Sequence, residues 1–236
     1  MMNVLKRSGG SVLVADDDPA IVHIVSTILH LNGYFTYSCH DGGSVARLFE
    51  EVQPRLVMLD VRMPVIDGIS VCRQIRAVSD VPIIMLTVLD DQKDVAKALE
   101  AGADDYIRKP FGADELAARV NAVLRRTDGA APGSEVLTCG PLKLDAARHV
   151  ALADDDELTL SATEFALLAY LMRNPDRVLT HDQILETIWG PEYVDSRHML
   201  RVTMSRLRQK LHPAAHDLIQ TLPRVGYRFQ RLERAA

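Results

Sequence analysis

The sequence predicts an α/β chain in which a doubly wound parallel sheet of five β/α units is followed by a smaller domain of helices closed by a hairpin. Three observations predict it. Four short runs each end at a polar residue: Val12–Ala15 before Asp16 and Asp17, Leu56–Leu59 before Asp60, Ile83–Leu86 before Thr87, and Asp105–Arg108 before Lys109. Helix-like stretches alternate with these runs as far as about Arg126. The alternation then stops at residues 128–134, a Gly-, Ala-, Pro- and Ser-containing segment that reads as a linker.

Strands are expected near 11–15, 34–38, 56–60, 82–87 and 104–108, and helices near 19–32, 42–52, 67–78, 92–101 and 112–126. Continuous apolar runs of this length are what strands buried on both faces require. β/α alternation places helices on both sides of one open sheet. In such sheets ligands bind outside the carboxyl ends of the strands. Three carboxylates, a hydroxyl and an ammonium therefore gather at one edge, a setting for a hard cation and a phosphoryl group.

After the linker, Leu142–Leu160 shows short alternating runs, expected to form a small antiparallel sheet. Ser161-Ala-Thr-Glu164 and Thr180-His-Asp-Gln183 both fit the capping box, in which the first hydroxyl and the fourth side chain satisfy free amides reciprocally. A third helix is expected from about Asp195 to Leu211. Strands 219–222 and 227–230 flank Pro223-Arg-Val-Gly226, a hairpin. Three helices closed by a hairpin describe a winged helix-turn-helix. The expected domains are 1–127 and 135–236, joined by 128–134.

Composition excludes some classes. The chain has 236 residues, 47% of them hydrophobic and 25% charged, with a formal net charge of −5. No apolar run is long enough to span a bilayer. Residues 1–10 lack the apolar stretch of a secretion signal. Cys39, Cys72 and Cys139 are an odd, widely spaced set and read as small hydrophobes in a reducing compartment. A cytoplasmic protein with no membrane partner is expected.

The first half has its own chemistry. Asp16, Asp17 and Asp60 crowd like charges, which is costly without a cation. Mg²⁺ suits such oxygens and commonly binds one or two carboxylates plus a phosphate. A carboxylate such as Asp60 can accept a phosphoryl group as an acyl phosphate. Lys109 would neutralise the phosphoryl oxygens and Thr87 would donate a hydrogen bond to one of them. Each of these residues alone has a structural reading as a solvated loop, a strand-end hydroxyl or a surface turn. Their joint occurrence at one sheet edge is what carries the functional reading.

Three words in this half carry a resemblance: Val12-Leu-Val-Ala-Asp-Asp-Asp-Pro19, Leu59-Asp-Val-Arg-Met-Pro64 with Asp67-Gly68, and Gly102-Ala-Asp-Asp-Tyr-Ile-Arg-Lys-Pro-Phe111. Residues 12–126 resemble the receiver domain of two-component response regulators, and the whole chain resembles their OmpR/PhoB subfamily. The resemblance implies that Asp60 accepts phosphate from a sensor histidine kinase. It implies Mg²⁺ held by Asp17, Asp60 and the backbone carbonyl of Arg62, with Asp16 acting through water. Thr87 and Tyr106 would form the switch pair, and Lys109-Pro110 a cis peptide. It further implies homodimerisation on phosphorylation through the face from Ala96 to Arg126, with Asp105–Arg119 and Asp104–Arg126 as cross-dimer ion pairs. Glu115 is kept, but Val95 stands where its basic partner is usual.

Two departures bear on the switch. Val88 replaces the usual small residue after Thr87 and is expected to narrow access to Asp60. Arg62 and Leu89 occupy the positions with which the family tunes dephosphorylation, and slow hydrolysis is expected.

The second half concentrates positive charge. From Arg197 to Arg231 there are eight Lys or Arg residues and one acid, Asp217. Such a patch attracts the phosphate backbone of DNA. At ~100° per residue Leu200, Met204, Leu207 and Leu211 form the core stripe of the third helix. The opposite side is expected to carry His198, Val202, Ser205 and Arg206, with Thr203 and Lys210 on one flank and Arg201 on the other. Arg206 is expected to face away from the core and contact guanine, whereas His198 and Thr203 suit phosphate or mixed contacts. Arg208, near the stripe, is expected in a structural ion pair. The motifs Leu158–Leu168, Trp189-Gly190, Ser205–Leu211 and Gly226–Phe229 extend the subfamily resemblance here; the stretch 198–211 also resembles the KdpE branch. By that resemblance the third helix enters the major groove, the wing approaches the minor groove and the loop 190–194 meets RNA polymerase. The wing departs from the usual pattern by losing a glycine and shifting its arginine to Arg224.

The reading is a phosphorylation-controlled DNA-binding transcription regulator, not an enzyme with turnover. One alternative keeps DNA binding but makes the receiver a constitutive dimerisation module, favoured by Val88 and Val95. Another is a metal-dependent phosphohydrolase. It would need a second Asp where Arg62 stands after Asp60; Asp16 and Asp18 have that spacing but are followed by Ala20 rather than Thr or Val.

Overall fold

The computed structural model describes residues 10–88, 92–127, 136–211, 215 and 217–231. The linker segment 128–134 and Leu89 lie outside them. The chain divides into two compact units, which meet in sequence between Leu124 and Arg125.

The first unit is a five-stranded parallel sheet of order β2-β1-β3-β4-β5: β1 (Ser11–Ala15), β2 (Phe35–Cys39), β3 (Leu56–Asp60), β4 (Ile83–Thr87) and β5 (Asp105–Arg108). The helices are α1 (Pro19–Leu31), α2 (Val45–Val52), α3 (Gly68–Arg76), α4 (Gln92–Glu100) and α5 (Ala113–Thr127), whose last residues, from Arg125, belong to the second unit. Every residue of β3 and β4 is buried. Successive side chains of a strand face opposite ways, so an unbroken apolar run supplies both faces. Leu13, Ala15, Val57 and Leu59 join the core with Phe49, Val71, Ile75 and Ala98, on the α2, α3 and α4 side. Val12, Val14, Leu56 and Met58 join Val25, Leu29, Leu116 and Val120, on the α1 and α5 side. Each large aliphatic so buried contributes about 1.5–3 kcal/mol.

Local signals start the helices. Asp18 caps α1 by accepting from the Ala20 amide at 2.8 Å, with Pro19 at the first helical position. Asp67 caps α3 by accepting from the Ser70 amide at 2.9 Å. The second strand sits one residue later than the sequence places it. Tyr34 is instead buried, its hydroxyl 3.0 Å from Asn121 Oδ1.

The second unit opens with a four-stranded antiparallel sheet of β6 (Val136–Cys139), β7 (Leu142–Asp145), β8 (Val150–Ala153) and β9 (Asp156–Glu157). Three helices follow: α6 (Ala162–Arg173), α7 (His181–Ile188) and α8 (Arg197–Lys210). Both expected capping boxes are present, at Ser161/Glu164 and Thr180/Gln183. The hairpin of β11 (Ile219–Leu222) and β12 (Gly226–Phe229) gains a third strand, β10 (Val178–Thr180), in the order β10-β12-β11. The sequence reading did not contain β10. Gly226 allows the close approach: a Cβ there would stand 1.9 Å from the Leu179 carbonyl oxygen. Trp189 is completely buried.

His149 carries a pH-dependent cost. Its ring stacks on Phe165 with centroids 3.8 Å apart, and its buried Nδ1 has no hydrogen-bond partner among the described residues. Burial lowers its pKa. A lowered histidine pKa means that protonation favours the unfolded chain. Stability is therefore full above the ordinary histidine pKa of ~6.5 and falls as the pH drops below it. Asparagine tolerates the left-handed backbone at this position (φ 54°) and does not titrate. His149→Asn is expected to flatten the stability profile between about pH 7 and pH 5, measured by urea unfolding at each pH. An unchanged slope would put the pH dependence elsewhere.

Candidate phosphoacceptor site and nucleic-acid interface

The strand order reverses at β1, so a crevice forms outside the carboxyl ends of β1 and β3. Asp16 follows β1 and Asp60 ends β3; both are buried, at 0% and 4% exposure. Lys109, just past β5, bridges them: its Nζ lies 2.5 Å from Asp16 Oδ2 and 2.6 Å from Asp60 Oδ1. The Lys109 amide donates to the Thr87 carbonyl at 2.6 Å, which ties the β5 turn to the end of β4. Thr87 is buried, and the Lys109–Pro110 peptide is cis. The Arg62 amide donates to Asp60 Oδ2 at 2.5 Å.

These contacts set the charges. Burial raises the pKa of Asp16, against the hydrogen bonds from Lys109 and the Asp18 amide. Burial pulls that of Lys109 down, but Asp16 and Asp60 together outweigh it and leave the ammonium more firmly protonated than usual.

Asp17 is exposed and lines a cleft of about 560 Å³ with Arg62, Met63, Asp67 and Lys97. Among the described residues no three His, Cys, Asp or Glu side chains converge as a metal cluster. Asp16 and Asp60 meet the Lys109 ammonium instead. The donors nevertheless suit Mg²⁺: all are hard oxygens, and this ion needs only one or two carboxylates with water completing its shell. Asp17 in the open cleft and Asp60, adjacent in sequence to the cleft residue Val61, are the carboxylates that would hold it.

Gly68 fixes the backbone beneath Asp60. A Cβ there would stand 1.9 Å from the Asp60 carbonyl oxygen, and the Gly68 amide donates to the Val61 carbonyl at 3.0 Å. The start of α3 thus packs directly under the strand that carries Asp60. Gly68→Ala is expected to destabilise this unit by about 1–3 kcal/mol, the usual cost of overpacking, and to lower phosphate uptake. Thermal unfolding of the variant checks this; an unchanged midpoint would show that the loop yields freely.

In the second unit α8 offers a polar face. Arg201, Ser205 and Gln209 are exposed, with His198 and Val202 half-buried beside them. Met199, Leu200, Thr203, Met204 and Leu207 are buried. Glu164 of α6 is completely buried. Its carboxylate meets Arg206 Nη2 at 2.8 Å, Lys210 Nζ at 2.7 Å and the Ser161 amide at 2.9 Å.

Residues 12–121 match the family model described as response regulator receiver domain, and residues 155–229 that of transcriptional regulatory protein, C terminal. The sensory transduction protein RegX3 of Mycolicibacterium smegmatis is 40% identical over 225 residues, covering 93% of this chain and 99% of the relative. The chain belongs to the OmpR/PhoB-type response regulators. MtrA, a DNA-binding response regulator of the same organism, is 38% identical over 92% of this chain and 95% of its own. Among solved structures, the OmpR/PhoB homologue DrrB of Thermotoga maritima is 32% identical over 93% of this chain and 98% of its own, with a TM-score of 0.50. The C128D mutant of RitR shares the fold, with a TM-score of 0.75 at 24% identity over 94% of this chain and all of its own. The protein is accordingly a two-component DNA-binding transcriptional regulator. Receiver domains of this kind bind Mg²⁺, and its two domains imply a kinase partner and DNA. Among the described residues no helix is long and apolar enough to cross a membrane.

Within this response regulator several expected residues come together and others part. Asp16, Asp60, Thr87 and Lys109 share one sheet edge. Tyr106 is half-buried and packs on the α2–α4 side core. Val88 is 57% exposed. Val95 is a core residue. Asp105 lies 3.4 Å from Arg119 of the same chain, and Arg119 Nε donates to Glu115 at 3.0 Å. Asp104 is buried against Arg76, with its Oδ2 2.5 Å from Arg76 Nη2. Arg126 Nε donates to the Ile188 carbonyl at 2.8 Å, and its Nη1 lies 3.3 Å from Thr163 Oγ1.

The helical phase of α8 requires a correction. Arg206 does not face away from the core: its side chain is 14% exposed and pairs with Glu164. Thr203 is buried rather than flanking. Met199 and Thr203 join the core, so the buried arc is rotated towards them and carries Arg206 and Lys210 inward. Arg208 is structural, but through hydrogen bonds to the Ile219 carbonyl at 2.6 Å and Thr221 Oγ1 at 2.8 Å rather than an ion pair. Arg224 is exposed at the wing turn with φ 66°. Sequence reasoning saw Glu164 only as a cap; its partners lie on another helix, so no local pattern could have disclosed them.

Proposed function

We propose that Asp60 is the phosphoacceptor of this regulator and that its modification drives dimerisation on tandem DNA half-sites. The observation that carries the reading is the single ammonium of Lys109 bridging two buried carboxylates, beside Thr87. An Asp60 oxygen attacks the phosphorus of a kinase phosphohistidine, the P–N bond breaks, and the imidazole leaves with its electron pair. Lys109 balances the charge on the phosphoryl oxygens and Thr87 donates a hydrogen bond to one of them. Mg²⁺, held by Asp17, Asp60 and the Arg62 carbonyl with Asp16 acting through water, would supply further charge neutralisation when bound. Drawing Thr87 to the phosphate leaves room for Tyr106 to turn inward, biasing a pre-existing equilibrium towards the dimer.

The dimer would form on the face from Ala96 to Arg126, with Asp104, Asp105, Arg119 and Arg126 exchanging their present partners. The domain limits 1–127 and 135–236 and a cytoplasmic location accord with this reading, and the loop 190–194 is a contact for RNA polymerase. Sedimentation and DNA titration, each with and without a small phosphoryl donor and Mg²⁺, test it. A shift from monomer to dimer together with tighter DNA binding is expected. A dimer that binds DNA equally well in both conditions would establish the constitutive alternative.

A further inference from the structure

Resting on the DNA-binding reading of α8, we propose that its base-reading row is Arg201, Ser205 and Gln209, with Arg201 selecting guanine and Gln209 adenine. Arg206 and Lys210 instead anchor the helix. The three row residues recur every fourth position and so share one face; all three are exposed. Neither the Arg201 nor the Gln209 side chain makes a hydrogen bond or ion pair among the described residues. Both side chains are therefore available to a duplex.

The remaining cations of this helix are engaged. Arg206 and Lys210 share the buried carboxylate of Glu164, at 2.8 and 2.7 Å. Arg208 is held to β11, and Arg197 lies 3.4 Å from Asp182. A guanidinium that is 14% exposed and neutralised by a buried carboxylate is poorly placed to fork onto a guanine edge.

Chemistry assigns the bases. The arginine fork matches the O6 and N7 acceptors of guanine, whereas the glutamine amide offers the donor and acceptor that match adenine N7 and N6. Ser205 between them accepts or donates and discriminates least. Eight residues of helix rise about 12 Å. At about 3.4 Å per base step the two selected positions lie roughly three to four base pairs apart.

The test is binding-site selection from a randomised duplex library with the full-length protein. Gln209→Ala is expected to lose an adenine preference of about ten-fold or more at one position. Arg201→Lys relaxes a guanine preference a few steps away, because an ammonium cannot fork. Arg206→Lys keeps a cation for Glu164 and is expected to leave the selected sequence unchanged, with a melting curve confirming its fold. If Arg206→Lys relaxes a guanine while Gln209→Ala alters nothing, the assignment is overturned. Uniform weakening on every sequence in Arg201→Lys and Gln209→Ala would make both phosphate contacts and overturn the base assignment while leaving DNA binding intact. Failure of the wild-type protein to select any sequence would remove the underlying reading as well.

Discussion

Asp60→Asn is expected to abolish formation of the phosphate adduct while leaving the chain folded. The amide is nearly the same size as the carboxylate, so the closed packing between Gly68 and the Asp60 carbonyl is kept. What is lost is the anionic nucleophile and one of the two charges that meet Lys109 at 2.6 and 2.5 Å. Asp16 remains as a partner for the ammonium, which avoids a buried cation without a counter-charge. Intact mass after incubation with a small phosphoryl donor and Mg²⁺ reads the outcome directly: one adduct in the wild type and none in the variant. An adduct of equal yield in Asp60→Asn would move the acceptor to another residue.

Glu164→Ala is expected to cost the second unit about 3–5 kcal/mol, the scale for breaking a buried ion pair from one side. The carboxylate is fully buried, completes the capping box of α6 and neutralises Arg206 and Lys210. Its removal takes the shared counter-charge from Arg206, 14% exposed, and from Lys210, 33% exposed. Glu164→Gln should cost less, because glutamine also completes a capping box, although the charge is gone. Trp189 is the chain's single tryptophan and lies fully buried in this unit. Its fluorescence during urea unfolding therefore reports the relevant transition. A loss of under about 1 kcal/mol in Glu164→Ala would make this a surface-like pair. It would also return Arg206 to the candidates for reading DNA.

The two variants separate the halves of the molecule. One removes a chemical group from a site that tolerates the change in shape; the other removes a structural counter-charge and leaves the surface of α8 untouched. DNA binding by Glu164→Ala at a temperature where it stays folded would show how far the anchor orients the row Arg201, Ser205 and Gln209.

The sequence by itself determined the five β/α units, the polar residues at the carboxyl ends of their strands, and both capping boxes. Each of these is local. A buried parallel strand must be apolar on both faces, so it appears as an unbroken run, and the residue after it is fixed at the sheet edge. A capping box is completed within four residues. Tertiary structure alone decided what lies between distant residues. The pairing of Glu164 with Lys210 spans 46 positions and leaves no periodic trace. The rotation of α8 follows from which neighbours Met199 and Thr203 pack against, and a stripe read from leucines and a methionine alone misjudges it. Strand β10 is three residues long, too short for any period, and exists because Gly226 lets β12 approach it. Asp104, expected to pair with Arg126 across a dimer, is buried with Arg76 of α3 against it. In each case the deciding energy belongs to a contact between elements, which no window along the chain contains.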